Sequence, residues 1–308
     1  MIVVFGSVNA DYFLNIDAFP APRETVLTPT HVVKAGGKGA NQAAAASRAG
    51  AKTSMIARIG EDSAAAVPMA AFKAAGVDVS YIKTCEKPTA MAMIMVDRTG
   101  ENSIVVSMGA NTCLTANDVP EDLLSAGTTL IMQMEVPPEE NFKLLEKAKA
   151  KGARTILNVA PAKAVPESAL KLVDYLILNE IEAAAVYENV FKKTAPDAEQ
   201  TALALAQKTG GACLITLGGD GALAAQNGQI VKVSCLKIRP VDTTGAGDAF
   251  VGIFGAMIDE GMALSDAMRY AGAGAGLACL KTGAQEGLPA RAQIEEKIGE
   301  IRLSRLIF

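Results

Sequence analysis

The chain has 308 residues, half of them hydrophobic, and a formal net charge of −4, enough for one large α/β domain with at most a small appendage. No basic run exceeds two residues, which argues against a nucleic-acid partner, and charges and glycines interrupt every apolar stretch short of a membrane span. Five cysteines without a CxxC pair and a single histidine, His31, exclude the usual zinc sites and most hydrolase triads, so any chemistry must run on carboxylates, lysine, backbone amides and bound cations.

The predicted elements alternate along the chain. Ile2–Gly6 reads as a buried strand, in preference to the core of a signal peptide, because no basic leader or cleavage signal accompanies it. With the reduced thiols, this points to a cytoplasmic protein. Gly39–Ala49 reads as a helix, Thr53–Ile59 as a strand and Ala64–Ala75 as a helix. Strands follow at Thr128–Gln133, Thr155–Val159, Tyr175–Leu178 and Cys213–Leu217. Helical patterns at Glu139–Lys151, Glu180–Glu188 and Asp197–Lys208 separate them, and Gly247–Glu260 and Ser265–Leu280 are two longer helices. Strands alternating with helices predict a doubly wound, mainly parallel sheet, with ligands at the carboxyl ends of its strands.

Two segments break this alternation. Asp11–Val33 carries Pro20, Pro22 and Pro29 and favours extended chain. Thr89–Met108 reads as a hairpin, two apolar β-prone arms around a turn containing Gly100. Together they predict a small β-sheet over the main domain. The domain division is then 1–10, 34–88 and 109–308 for the α/β body, and 11–33 with 89–108 for the added sheet. The apolar face of that sheet needs cover from a substrate cleft or a second subunit.

The strongest chemical signal runs from Asp242 to Phe250. Gly245 and Gly247 permit a tight turn into a helix, whose N-terminal amides suit negative charge, and Asp248 stands beside them, placed to accept a proton from an attacking hydroxyl. The plainer reading is a capped helix with glycines for close packing. A second signal, Gly36-Gly37-Lys38-Gly39-Ala40-Asn41-Gln42, lets a ligand approach the backbone and offers Lys38 and Asn41 as donors, or is a turn before an alanine-rich helix. Its spacing is not that of a Walker A loop, and Gly6-Ser7-Val8-Asn9 is not a dinucleotide fingerprint. Asn9 and Asp11, at the end of the first strand, suit hydroxyl recognition or a turn. Asn179 and Glu182 suit hydrated Mg²⁺ near phosphates, or a helix N-cap.

These four motifs, in this order, resemble the ribokinase-like (PfkB) carbohydrate kinase family over nearly the whole chain, Gly6 to about Pro289. The resemblance implies ATP as phosphoryl donor, Mg²⁺, a small-molecule sugar acceptor and K⁺ as activator. It assigns Asp248 as catalytic base, with Gly245, Ala246 and Gly247 as the anion hole. It assigns Asn9, Asp11, Gly37, Lys38, Asn41 and Glu135 to the sugar. It assigns Asn179, Thr216, Gly218 and Gly221 to the nucleotide, and Glu182 to Mg²⁺ through water. Asp242, Thr244, Ala278 and Gly283 match the K⁺ loop. It also implies that the small sheet is a lid and forms a homodimer interface.

Asn9-Ala10-Asp11, Phe19-Pro20-Ala21-Pro22 and Gly109-Ala110-Asn111 are similar to members that phosphorylate ribose. Arg23 stands where those members carry glycine before Glu24-Thr25, which leaves room for a nucleoside or another sugar. Beyond that, a catalytically silent sugar or nucleotide sensor and a dinucleotide-dependent oxidoreductase are the rival classes.

Overall fold

The computed structural model describes residues 1–307. The chain passes through β1 (Ile2–Phe5), β2 (Asn9–Asn15), β3 (His31–Gly36), α1 (Lys38–Arg48), β4 (Thr53–Gly60), α2 (Ala66–Ala75) and β5 (Asp78–Cys85). It continues through β6 (Ala90–Val96), β7 (Asn102–Ser107), β8 (Thr129–Met132), α3 (Pro138–Ala150), β9 (Arg154–Asn158), α4 (Glu167–Leu170), β10 (Tyr175–Asn179), α5 (Glu180–Phe191) and α6 (Ala198–Thr209). It ends with β11 (Ala212–Thr216), β12 (Ala222–Gln226), β13 (Gln229–Val233), α7 (Ala246–Asp259), α8 (Leu264–Ala278), α9 (Arg291–Lys297) and β14 (Leu303–Ile307).

Ten strands form one sheet in the order β14-β13-β12-β11-β10-β9-β8-β1-β4-β5. From β5 to β11 all neighbours are parallel, while β12, β13 and β14 add antiparallel at one edge. Alternate residues of β1 feed two cores, as a doubly wound sheet requires. Ile2 and Val4 pack with α1, α2, α7 and α8, and Val3 and Phe5 pack with α3, α4, α5 and α6. The expected doubly wound, mainly parallel α/β fold is the one observed. The antiparallel edge and β5 were not expected. Ala222-Leu223-Ala224-Ala225-Gln226 has no β-branched residue to mark a strand.

The second sheet has the order β3-β2-β6-β7. β2 runs parallel to β6 and antiparallel to β3, and β6 and β7 make the expected hairpin. Its strands reach further toward the body than the proline-rich segment suggests, since β2 starts at Asn9 and β3 ends at Gly36. Arg23 lies in the long β2–β3 connection at a φ of 74°, the left-handed region that glycine enters without strain. The peculiarity of Arg23 is therefore first one of backbone shape.

Helices α1 and α7 meet through small residues. A Cβ on Gly252 would stand 2.3 Å from the Gln42 carbonyl oxygen and 2.7 Å from the Ala45 methyl. This close approach carries the polar start of α1 across to the start of α7.

Candidate active site

The site lies at the carboxyl ends of the main strands, between the two sheets. Gly37, at a φ of 88°, turns the chain from β3 into α1. Behind it the α1 backbone rests on the end of β1, with Ala40 N–H donating to the Ser7 carbonyl at 2.9 Å. A Cβ on Gly39 would come within 2.6 Å of the Ser7 nitrogen, so glycine is required there for the approach. That seating points Asn41 and Gln42 inward. Asn41 Nδ2 donates to Asp248 Oδ2 at 2.9 Å, and Gln42 Nε2 donates to Asp248 Oδ1 at 3.0 Å.

Asp248 is buried in the first turn of α7. Its two oxygens are thus fixed by neutral donors, which orient the carboxylate without neutralising it. A polar chain supports it from below. Gln42 also donates to Asn158 Oδ1 at 3.0 Å and accepts from Gln133 Nε2 at 2.8 Å, and Asn158 donates to the Ile177 carbonyl. Gln285 holds Asn41 from the other side at 3.0 Å.

Gly245, the N-cap of α7, has a φ of 76°, and a Cβ there would meet Ala284 Cα at 2.8 Å. Open space surrounds the position a Gly247 Cβ would take, so this turn presents its backbone to the cleft. Ala246 occupies the same turn, its amide bonded to the Thr243 carbonyl. Asp248 borders a cavity of 110 Å³ together with Lys38, Asn179, Glu182 and Thr216. Thr216 and Gly247 also line a neighbouring cleft of 790 Å³, floored by Gly218, Gly221 and Phe250. Its size is that of a small-ligand site.

On the small-sheet side, three carboxylates crowd together. Burial, then Glu135 and Asp248, push Asp11 up to about 7. Asp11 Oδ1 is buried without a partner, and Gly36 leaves the room in which the carboxylate sits, since a Cβ there would lie 1.9 Å from Asp11 Oδ2. Glu135 accepts from the Ser7 hydroxyl at 2.7 Å and from the Lys38 amide at 2.9 Å. Asn9 Oδ1 accepts from Asn111, whose own carbonyl accepts the Val8 amide. Lys38 gathers these charges. Asp248 raises its pKa against the opposing cost of burial, and Glu135 and Glu182 add to the rise.

The capping reading of Asn179 and Glu182 is the one observed. Asn179 caps α5, its Oδ1 accepting from the Glu182 amide at 2.8 Å, and the Asn179 amide donates in return to Glu182 Oε2 at 2.9 Å. Glu182 also borders the cavity, and burial raises its pKa despite the Asn179 amide and Lys38.

Asp242 joins two loops, accepting from the Thr244 amide and the Gly283 amide, each at 2.9 Å. Burial opposes its ionisation, yet these amides, the Thr244 hydroxyl and Lys34 hold it below the usual carboxylate range. The Cys279 carbonyl, next to Ala278, receives the amides of Val241 and Asp242, so Asp242, Thr244, Ala278 and Gly283 are gathered at one corner.

The sequence did not single out Ser7, Gln133, Asn158 or Gln285, nor a bonding role for Gln42 and Asn111. The available signal was a polar residue closing an apolar strand, as Gln133 and Asn158 do.

A carboxylate fixed beside a backbone turn at the mouth of a ligand cleft suits transfer of a phosphoryl group to a hydroxyl. Residues 1–291 match the model of the pfkB family carbohydrate kinases, and the chain belongs to that family of phosphotransferases. It is 36% identical to the ribokinase of Staphylococcus aureus, over 96% of this chain and 98% of that one. It is 35% identical to the ribokinase of Schizosaccharomyces pombe, over 96% of each. The fold superposes on Thermotoga maritima ribokinase with a TM-score of 0.90 at 31% identity, covering 97% of this chain and 99% of the other. It superposes on Arabidopsis thaliana ribokinase complexed with ribose and ATP with a TM-score of 0.86 at 30% identity, covering 96% and 98%.

Proposed function

We propose that this protein transfers the γ-phosphoryl group of ATP to the 5-hydroxyl of D-ribose. The observation that carries the reading is the position of Asp248, in a small cavity that shares Thr216 and Gly247 with the nucleotide-sized cleft and bonded to Asn41 at the start of α1. Asn9, Asp11, Gly37, Lys38, Asn41 and Glu135 bind the sugar hydroxyls. Asp248 accepts the proton of the attacking hydroxyl, and Asn41 and Gln42 keep its oxygens aimed. The backbone of Gly245, Ala246 and Gly247 stabilises charge on the phosphoryl group in flight. Asn179, Thr216, Gly218 and Gly221 hold the nucleotide. A catalytically silent sensor would have no use for a carboxylate so oriented.

Glu182 fits a hydrated Mg²⁺, because burial raises the pKa of its carboxyl and a cation beside it would offset the cost of its charge. Mg²⁺ bound there supplies charge neutralisation of the phosphates. The ionised Asp242 within its ordered loop fits K⁺ nearby, with Thr244, Ala278 and Gly283 contributing backbone oxygens. Residues 11–33 and 89–108, with β2 and β3 running on to Asn9 and Gly36, act as a lid over the rest of the chain. Its edge strand β7, where Ile104, Val105 and Val106 are exposed, pairs with a second copy of the chain. A cytoplasmic setting suits five free thiols.

The test is ADP release with ATP, Mg²⁺ and K⁺ across ribose, deoxyribose, fructose and nucleosides. Preference for ribose is the expected result. Preference for a nucleoside moves the substrate and keeps the mechanism, and no turnover with any acceptor rejects the kinase reading.

A further inference from the structure

Cys85 and Cys113 stand apart from the site just described. Cys85 is the last residue of β5, paired with Gly60 at the edge of the main sheet. Cys113 closes a short 3₁₀ turn, Gly109–Cys113, just after β7. The chain between them holds the β6–β7 hairpin of the small sheet. Both thiols are free and partly exposed, and each belongs to one of the two segments that the Ala110–Pro88 and Lys87–Thr112 contacts draw together. Cys213 and Cys279, by contrast, are buried.

The surrounding contacts hold the two approaches to the hairpin together. The Ala110 amide donates to the Pro88 carbonyl at 2.8 Å, and Lys87 Nζ donates to Thr112 Oγ1 at 2.7 Å. Cys85 lines an open depression with Glu61, Asp62, Thr84 and Lys87, so a small oxidant in solvent reaches it directly. Arg58 and Lys87 place positive charge near the pair. The same turn carries Asn111, which holds Asn9 and the Val8 amide in the sugar pocket.

We propose that Cys85 and Cys113 form a reversible disulfide, driven by a peroxide, that staples the two ends of the β6–β7 hairpin and restrains the small sheet. The Cys85 thiolate attacks the peroxide oxygen and becomes a sulfenic acid, releasing hydroxide that takes up a proton as water. The Cys113 sulfur then displaces water from the Cys85 sulfur as its own proton is lost. Two thiols and one H₂O₂ thus give one disulfide and two waters. Cys113 suits the second step. Burial and then the Cys85 thiol raise its pKa against Lys87 and Arg58, which keeps it protonated until its neighbour has reacted. The linkage fixes the point where the chain leaves the main sheet for the lid, and hinge segments of this kind absorb the backbone change of lid closure.

The experiment treats the native full-length protein with H₂O₂, blocks remaining thiols, and maps peptides by mass without reductant. The expected result is a linked pair containing Cys85 and Cys113, two hydrogens lighter than the separate peptides, with Cys213 and Cys279 still blocked as free thiols. Sugar-dependent ADP release should fall in step with the linked fraction and recover with dithiothreitol. C85S and C113S should each keep basal turnover and lose the reversible response. Cys85 trapped only as sulfenic or sulfinic acid, with no linked peptide, overturns the disulfide. A linked peptide with unchanged turnover overturns the restraint on the lid. The mass map does not depend on the kinase reading, so failure of the assay with every acceptor is distinguishable from failure of the staple.

Discussion

Strand β1 and strand β7 are built from similar apolar residues and meet opposite fates. All four residues of β1 are fully buried, flanked by parallel neighbours on both sides and by helices on both faces. All six residues of β7 are exposed, at the edge of a sheet with only β6 beside it. Stability is therefore concentrated in the ten-stranded body, while the small sheet contributes Asp11 and the proposed lid at little cost to the fold. The substitutions below test that division.

The largest effect falls where body and lid meet. Asp248→Asn should lower kcat by about 10²–10⁴-fold, the usual worth of a positioned general base, with the unfolding transition little changed. Near-normal turnover would remove Asp248 from the proton transfer. Within the body, Phe254→Ala should cost about 3–5 kcal/mol, because this fully buried ring packs edge-on to Tyr175 at 5.3 Å and has no room to be replaced. In the lid, Val105→Asp, on a residue 64% exposed, should leave stability within about 0.5 kcal/mol. It should also convert the proposed dimer to a monomer in light scattering. A dimer that survives would take this face out of the interface, and a large stability loss would break the contrast between the two sheets.

The same contrast explains what the sequence made legible. Buried strands such as Thr129–Met132 and Tyr175–Asn179 are unbroken apolar runs, and the glycine-rich turns at Gly37 and Gly245 announce themselves because few other residues fit them. Asn9, Lys38, Asn41, Asn179 and Asp248 were legible as motifs, because each sits at a strand end or in the first turn of a helix. The supports were not. Gln42, Gln133 and Asn158 meet only when three separate segments fold together, and no local pattern records a contact between residues 116 apart. Cys85 and Cys113 were legible only as unpaired thiols for the same reason.

Asp11 links lid and body through charge. The unfolded chain releases its proton near 3.8, whereas the folded protein keeps it to about 7. Between those values the folded state binds more protons, so the contribution of Asp11 to stability declines as pH rises through the window and is lost above it. Asp11→Asn removes the burial cost and the repulsion from Glu135 and Asp248. Its stability relative to the native protein should therefore improve between about pH 4 and about pH 7, while KM for the sugar rises. Parallel melting curves over that range would show that Asp11 titrates as an ordinary carboxylate.

The smallest effect is expected at Lys34, where the lid touches the body through a side chain. Its ammonium lies 3.3 Å from the Thr282 carbonyl and 3.8 Å from Glu286, and 5.5 Å from the centre of the Phe13 ring. Glu286 is 48% exposed, so the ion pair is screened and worth no more than about 1 kcal/mol. Lys34→Met keeps most of the apolar stem over Phe13 and loses the bond to the loop that carries Gly283. Because the body sets the unfolding transition, the melting temperature should barely move. The lid strand should nonetheless be held less firmly, and KM for the sugar should rise with kcat nearly constant. Lys34→Arg, which restores the charge and the stem, should recover most of that loss. A stability loss without a change in KM would place Lys34 in the body's framework and not in the lid's anchorage.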